Sequence, residues 1–135
     1  METKKLTAKD LMIGDYVYST FSDKPCKVQA IELTEHEYGS VRVAGVDCVK
    51  DIVSLSPIPL TAEVLEKNGW TKPASSRVWS RNNVPSFVLE EIDDGSFEVT
   101  TDTCSEWGGL CMIRYVHELQ HALRLCGIND KEIVL

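Results

Sequence analysis

The sequence predicts an α+β protein, and three observations predict it. The first sixty residues alternate apolar and polar side chains in short runs broken by Gly, Pro and Asp, as in a small barrel or curled sheet. Thr61 to Trp70 carries helical start and stop signals. Strand-type alternation then returns around an Asp94-Gly95 turn signal, before a closing amphipathic stretch from Ile113 to Gly127.

Taken in order, "LTAKDLMIGDYVYST" offers Thr7 as an N-cap for a short helical turn, then Gly14-Asp15 opening a strand. "KPCKVQAIEL" alternates around Cys26, Val28, Ala30 and Leu33, and "GSVRVAGVDCV" around Val41, Val43, Val46 and Cys48. "KDIVSLSPIPL" ends on Pro57 and Pro59, which lack the N–H that a central strand needs. The "GDYVY…KPCKVQAI" pattern resembles the opening of an SH3-like barrel, over less than half the chain. That fold hosts many functions and names none. Residues 1–60 are therefore expected to form an SH3-like barrel-type subdomain.

Residues 61–135 are expected to form an α-β-β-β-α unit, packed with the first as one compact protein. In "LTAEVLEKNGW", Thr61 is the N-cap, Glu63 sits in the first turn, and Asn68-Gly69 supplies a left-handed stop. "RVWSR" and "SFVLEEIDDGSFEVTT" supply three strands. A two-residue Asp94-Gly95 turn sets Ile92 opposite Phe97, Glu90 opposite Val99 and Val88 opposite Thr101 on the packed face. It sets Glu91 opposite Glu98 on the wet one. "CSEWGG" reads as a loop, and the last helix follows it. Trp70, Trp79 and Trp107 lie at element edges, as core or lid residues.

The chain has 135 residues, of which 43% are hydrophobic and 26% charged, with a net charge of −7. Residues 1–60 carry seven Lys/Arg against nine Asp/Glu, and residues 61–135 seven against twelve. Neither half offers the clustered cations that a phosphate backbone requires, so nucleic acid is a disfavoured partner. No apolar run reaches membrane length and no signal peptide is present, so a cytosolic protein without membrane contact is expected. Five widely spaced cysteines, an odd number, suit free thiols in a reducing compartment. Cys26, Cys48 and Cys126 lie in apolar patterns and are expected in the core.

His117-Glu118-Leu119-Gln120-His121 spells H-E-x-x-H, the pattern of a zinc-hydrolase helix. Histidines at i and i+4 point two imidazoles the same way, and the Glu can serve as base on a zinc-bound water. On that alternative His117 and His121 are ligands and Glu118 is catalytic. Such a site needs a third ligand, and only fourteen residues follow His121; the extended motif's positions hold Arg124 and Gly127. At about 100° per residue, Tyr115, Val116, Leu119, Ala122, Leu123 and Cys126 form one apolar stripe. His117 and His121 fall nearly opposite, flanked by Arg114 and Arg124, whose permanent charge opposes a cation. The competing expectation is a polar stripe facing water or a partner, with Glu118 paired to Arg114 or His121. It comprises Arg114, His117, Gln120, His121 and Arg124, with no cofactor. A four-ligand set of Cys104, Cys111, His117 and His121 has spacing outside the usual knuckle.

Other constellations have ordinary explanations. Glu90-Glu91 and Asp93-Asp94 sit in and beside a turn as solvated acids. Ser75-Ser76 has no nucleophile-elbow context. Cys104 or Cys111 with His117 is a Cys–His pair on paper only, and Gly108-Gly109 lacks the Lys-Ser/Thr of a phosphate loop.

"SPIPLTAEVLEKNGW" (Ser56 to Trp70) and "IRYVHELQHALRLCG" together resemble a family of small uncharacterised proteins from phages, prophages and mobile elements of Bacteroidetes. The matching elements are Ile58-Pro59-Leu60-Thr61, Gly69-Trp70, Tyr115-Val116-His117 and Leu119-Gln120, and the resemblance spans roughly residues 10–130. In that pattern the residue at Glu118 is often Gln and the one at His121 commonly Asn, so the departures here create H-E-x-x-H. The resemblance implies an intracellular accessory protein of a phage or integrated element, and no catalytic residues. A non-enzymatic protein acting in the host cytosol through an unknown protein partner or self-association is the leading expectation. A small zinc hydrolase is the alternative, and a nucleic-acid-binding SH3-like module ranks third.

Overall fold

A computed structural model describes residues 6, 10–19, 22–32, 40–43, 50–51, 55–82, 87–101, 109–128 and 132–135. Expectations placed on Thr7, Leu33, Val46, Cys48, Cys104, Trp107 and Gly108 lie outside them. The protein is α+β, with two antiparallel sheets and two helices among the described residues. None of these helices is long and apolar enough to cross a membrane. The chain divides into two units, Met1–Pro59 with Tyr115–His121, and Leu60–Arg114 with Ala122–Leu135. The expected division near residue 60 gave the whole last helix to the second half. Its Tyr115–His121 segment instead groups with the N-terminal residues.

In the first unit, β1 (Tyr16–Ser19), β2 (Ser22–Glu32), β3 (Ser40–Val43), β4 (Lys50–Asp51) and β5 (Leu55–Pro57) run in the order β4-β3-β2-β1-β5. Among the described residues β4 and β5 end this sheet without closing it. Strand β2 serves two neighbours: Val17 faces Cys26 on one side and Ile31 faces Val41 on the other. Between Val28 and Ala30 the register shifts. Before the shift the expected alternation holds, with Cys26 and Val28 buried; beyond it Ala30 is exposed and Ile31 packs on the core. An irregularity of one residue moves every later side chain to the opposite face, which corrects the expected inward Ala30. The core joins Leu6, Leu11, Val17, Cys26, Val28 and Leu55. Pro57 is accommodated because β5 is an end strand.

The second unit opens with α1 (Ala62–Lys67). Thr61 Oγ1 accepts the Val64 N–H at 3.3 Å, and Gly69 leaves the helix at φ +84°. Four strands follow rather than the three expected: β6 (Val78–Trp79), β7 (Phe87–Glu91), β8 (Phe97–Thr101) and β9 (Gly109–Ile113), in sequence order. Only Arg114 and Tyr115 separate the apolar run of β9 from the first residue of the next helix, too short a break for periodicity to divide the two.

The β7–β8 hairpin forms where expected, with its register shifted by one residue. Leu89 faces Val99, Glu90 faces Glu98 and Glu91 faces Phe97. The loop has three residues: Ile92 N–H donates to Ser96 O at 2.9 Å, and Gly95, at φ +88°, donates to Ile92 O at 3.0 Å. A turn followed by one left-handed residue is the next most common hairpin after the two-residue loop. The shift turns Phe87 and Leu89 inward in place of Val88, Glu90 and Ile92. Phe87 packs against Trp70, with ring centroids 5.8 Å apart, and Trp70 and Trp79 are buried as expected.

Helix α2 (Val116–Leu125) starts three residues later than the periodicity implied and stops at Gly127, φ +73°. Val116, Leu119, Ala122 and Leu123 are buried as expected. Cys126 is exposed, against the expectation of a core position, because it lies beyond the last helical residue.

Candidate functional site

The H-E-x-x-H segment occupies the start of α2. Val116 N–H donates to Ile58 O at 2.8 Å, and Pro59 bridges to Tyr115, so the end of β5 fixes where the helix begins. Glu118 Oε1 reaches back to accept the Tyr115 N–H at 3.2 Å, and Leu119 N–H donates to Tyr115 O. A carboxylate at the third helical position satisfying the N-cap amide is half of a capping box. The residue proposed as a catalytic base thus holds the helix's own first turn.

Gln120 and His121 reach a segment more than a hundred residues away in sequence. Gln120 Nε2 donates to Gly14 O at 2.9 Å, while its Oε1 accepts the Tyr16 N–H at 2.9 Å. One side-chain amide thereby satisfies both backbone groups that a neighbouring strand would satisfy. His121 Nε2 lies 2.6 Å from Asp15 Oδ2, and Asp15 is fully buried. The same Oδ2 accepts the Met12 N–H at 2.7 Å.

The turn so held is tightly built. Asp15 N–H donates to Met12 O at 3.1 Å, and Gly14 takes φ +95° at the third turn position, as a type II turn requires. Gly14 N–H donates to Val28 O and Val28 N–H to Asp15 O, both at 2.8 Å, tying the turn to β2. Met12 and Ile13 stand exposed at its tip.

His117 is 1% exposed. Its ring lies parallel to Tyr115 at 5.9 Å and meets His121 edge-on at 5.6 Å. Of the expected stripe facing water or a partner, His117 does not face water. A helical wheel finds the apolar face of α2, but the opposite face of its first turns is also covered, by the polar groups of Gly14, Asp15 and Tyr16. Arg114 precedes the helix and pairs with Asp94 Oδ2 at 2.6 Å on the hairpin turn. Arg124 is half-buried in the last helical turn. Of the five residues expected on one surface, His117, Gln120 and His121 share a neighbourhood, while Arg114 pairs with the hairpin turn.

His121 Nε2 is occupied by Asp15, and among the described residues no three His, Cys, Asp or Glu side chains converge as a metal site. Cys111 is exposed on β9, and Cys104 lies outside the described residues. Three of the acids near the hairpin, Glu91, Asp93 and Asp94, are paired. The Trp79 indole N–H, donating at 2.7 Å, holds the Glu91 carboxyl below the usual glutamate range, with Lys72 at 3.3 Å assisting against desolvation. The Ser96 hydroxyl and N–H, then Arg114, hold Asp94 low. Asp93 pairs with Arg77, whose guanidinium it raises.

Sequence reasoning singled out His117, Gln120 and His121 and missed Asp15, which it treated only as a strand opener. The signal was a Gly-Asp pair at a strand entry, where a short acceptor can bond nearby backbone N–H groups. No family model matches this chain, and neither the curated proteins nor the solved structures gave a match.

Proposed function

We propose that the chain is a non-enzymatic accessory protein of a Bacteroidetes phage or mobile element, acting in the host cytosol through protein contacts or self-association. One observation carries the non-enzymatic part: the polar side chains of the HELQH segment are employed within the fold. Glu118 caps the helix, Gln120 and His121 fasten the Gly14–Tyr16 segment, and His117 is enclosed beside Tyr115 and His121. A zinc hydrolase would need both imidazoles turned to one ion and the glutamate turned to its water.

The resemblance to the phage family accords with this role. Asn, common there at the position of His121, can also donate an N–H to a carboxylate such as Asp15. Gln in place of Glu118 keeps the carbonyl oxygen that accepts at a helix start. The first unit is read as an SH3-like barrel, supported by a long β2 shared between two neighbours and by β5 returning to β1.

Sedimentation at rising concentration tests the proposal, with a mass that climbs above the monomer expected. A strictly monomeric protein that binds DNA or RNA in a salt-dependent way would replace it with the nucleic-acid reading. Stoichiometric zinc in tag-free protein, lost with a hydrolytic activity in His121→Ala, would replace it with the hydrolase.

A further inference from the structure

Asn68, at the C-cap of α1, holds more than its own helix. Its Nδ2 donates to Val64 O at 2.7 Å and to Val134 O at 2.8 Å, while its Oδ1 accepts the Val134 N–H at 2.7 Å. All three bonds call for the same orientation of the amide, and both of its donor hydrogens are used. The bond to Val64 O anchors the side chain to the helix. The remaining pair grips both backbone groups of one residue, as a neighbouring strand would. Both bonds are to Val134 backbone atoms and the residue is 59% exposed, so the grip is on the backbone rather than on the side chain.

We propose that the C-terminal end of α1 is a binding site for an extended peptide backbone, filled in this structure by the chain's own Glu132–Leu135 segment and able to take the same segment from a second copy. This deepens the self-association proposed above and rests on it. The segment belongs to no helix or strand, and the two bonds that Asn68 makes to it are exposed, so its local release is cheap. A segment from another copy offers identical bonds, so release and capture differ mainly in effective concentration, as in exchange of identical elements between protomers.

Two full-length variants separate site from segment. Val134→Pro removes the N–H that Asn68 Oδ1 accepts and leaves the clamp intact. Asn68→Ala removes the clamp and leaves the segment intact. The measurement is the Asn68 side-chain amide resonances of isotopically labelled Val134→Pro protein while unlabelled Asn68→Ala protein is added to roughly millimolar concentration. A saturable shift is expected, absent when unlabelled Val134→Pro protein is added instead. Wild-type protein should show a weaker shift, because its own segment competes. No shift, or equal shifts with both additions, overturns the proposal. Should Asn68→Ala fail to fold, Asn68→Asp serves in its place, since it keeps the acceptor and lacks both donors. Wild-type self-association with no shift here would sink this site alone, and leave the broader function standing.

Discussion

At the scale of single residues, Gln120 and His121 tie α2 to a turn that Asp15 also holds from within. Gln120→Ala strips the partners from Gly14 O and Tyr16 N–H, and Asp15→Ala strips them from His121 and the Met12 N–H. Each should lower unfolding free energy by about 1–3 kcal/mol, read by chemical denaturation, because buried polar groups lose their partners. His121→Asn should recover part of what His121→Ala loses, since an amide can still donate to Asp15. An unchanged midpoint in Gln120→Ala would remove the clamp from the account. The motif was conspicuous in the sequence, but its meaning was not. Its partners are 104 to 106 residues away, and no local pattern announces a pairing of that range.

Among the elements, α1 was legible because its signals are local: Thr61, Glu63, Asn68 and Gly69 each act within one turn. Thr61→Ala should cost about 1 kcal/mol in a thermal or chemical melt. The strands were legible in existence and less so in register. Asp94-Gly95 marks the hairpin, but whether two or three residues form the loop depends on which face finds a core. The observed register makes Phe87→Ala expensive, about 3–5 kcal/mol, and Val88→Thr nearly silent; the reverse order would restore the two-residue turn. The β2 irregularity and the extra strand β9 are set by pairing between strands, which the alternation of one strand does not encode. The Glu91 carboxyl has a pH signature. Its folded value lies below the ordinary one, so its contribution is complete above about pH 4.3 and is lost as pH falls through the lowered folded value. Glu91→Gln should therefore flatten the acid limb of the stability profile relative to wild type, while a steeper limb would contradict the Trp79 bond as its cause.

For the whole molecule, periodicity gave the α+β class correctly, while the division of the chain needed the contacts. Tyr115–His121 groups with the N-terminal residues, so residues 1–60 alone lack the Gln120 and His121 groups that satisfy their first turn. A fragment of those residues should show poorly dispersed amide resonances; a well-dispersed spectrum would make the clamp dispensable. The central claim is that HELQH is a structural clamp and not a metal site. Anything that binds only the native state raises its stability by mass action, and a structural zinc would do so strongly. The most direct test is the denaturation midpoint of tag-free protein, first with a chelator and then with excess zinc. The clamp predicts the same midpoint in both, because Asp15 already holds His121 Nε2. A zinc-dependent rise that disappears in His121→Ala would contradict it.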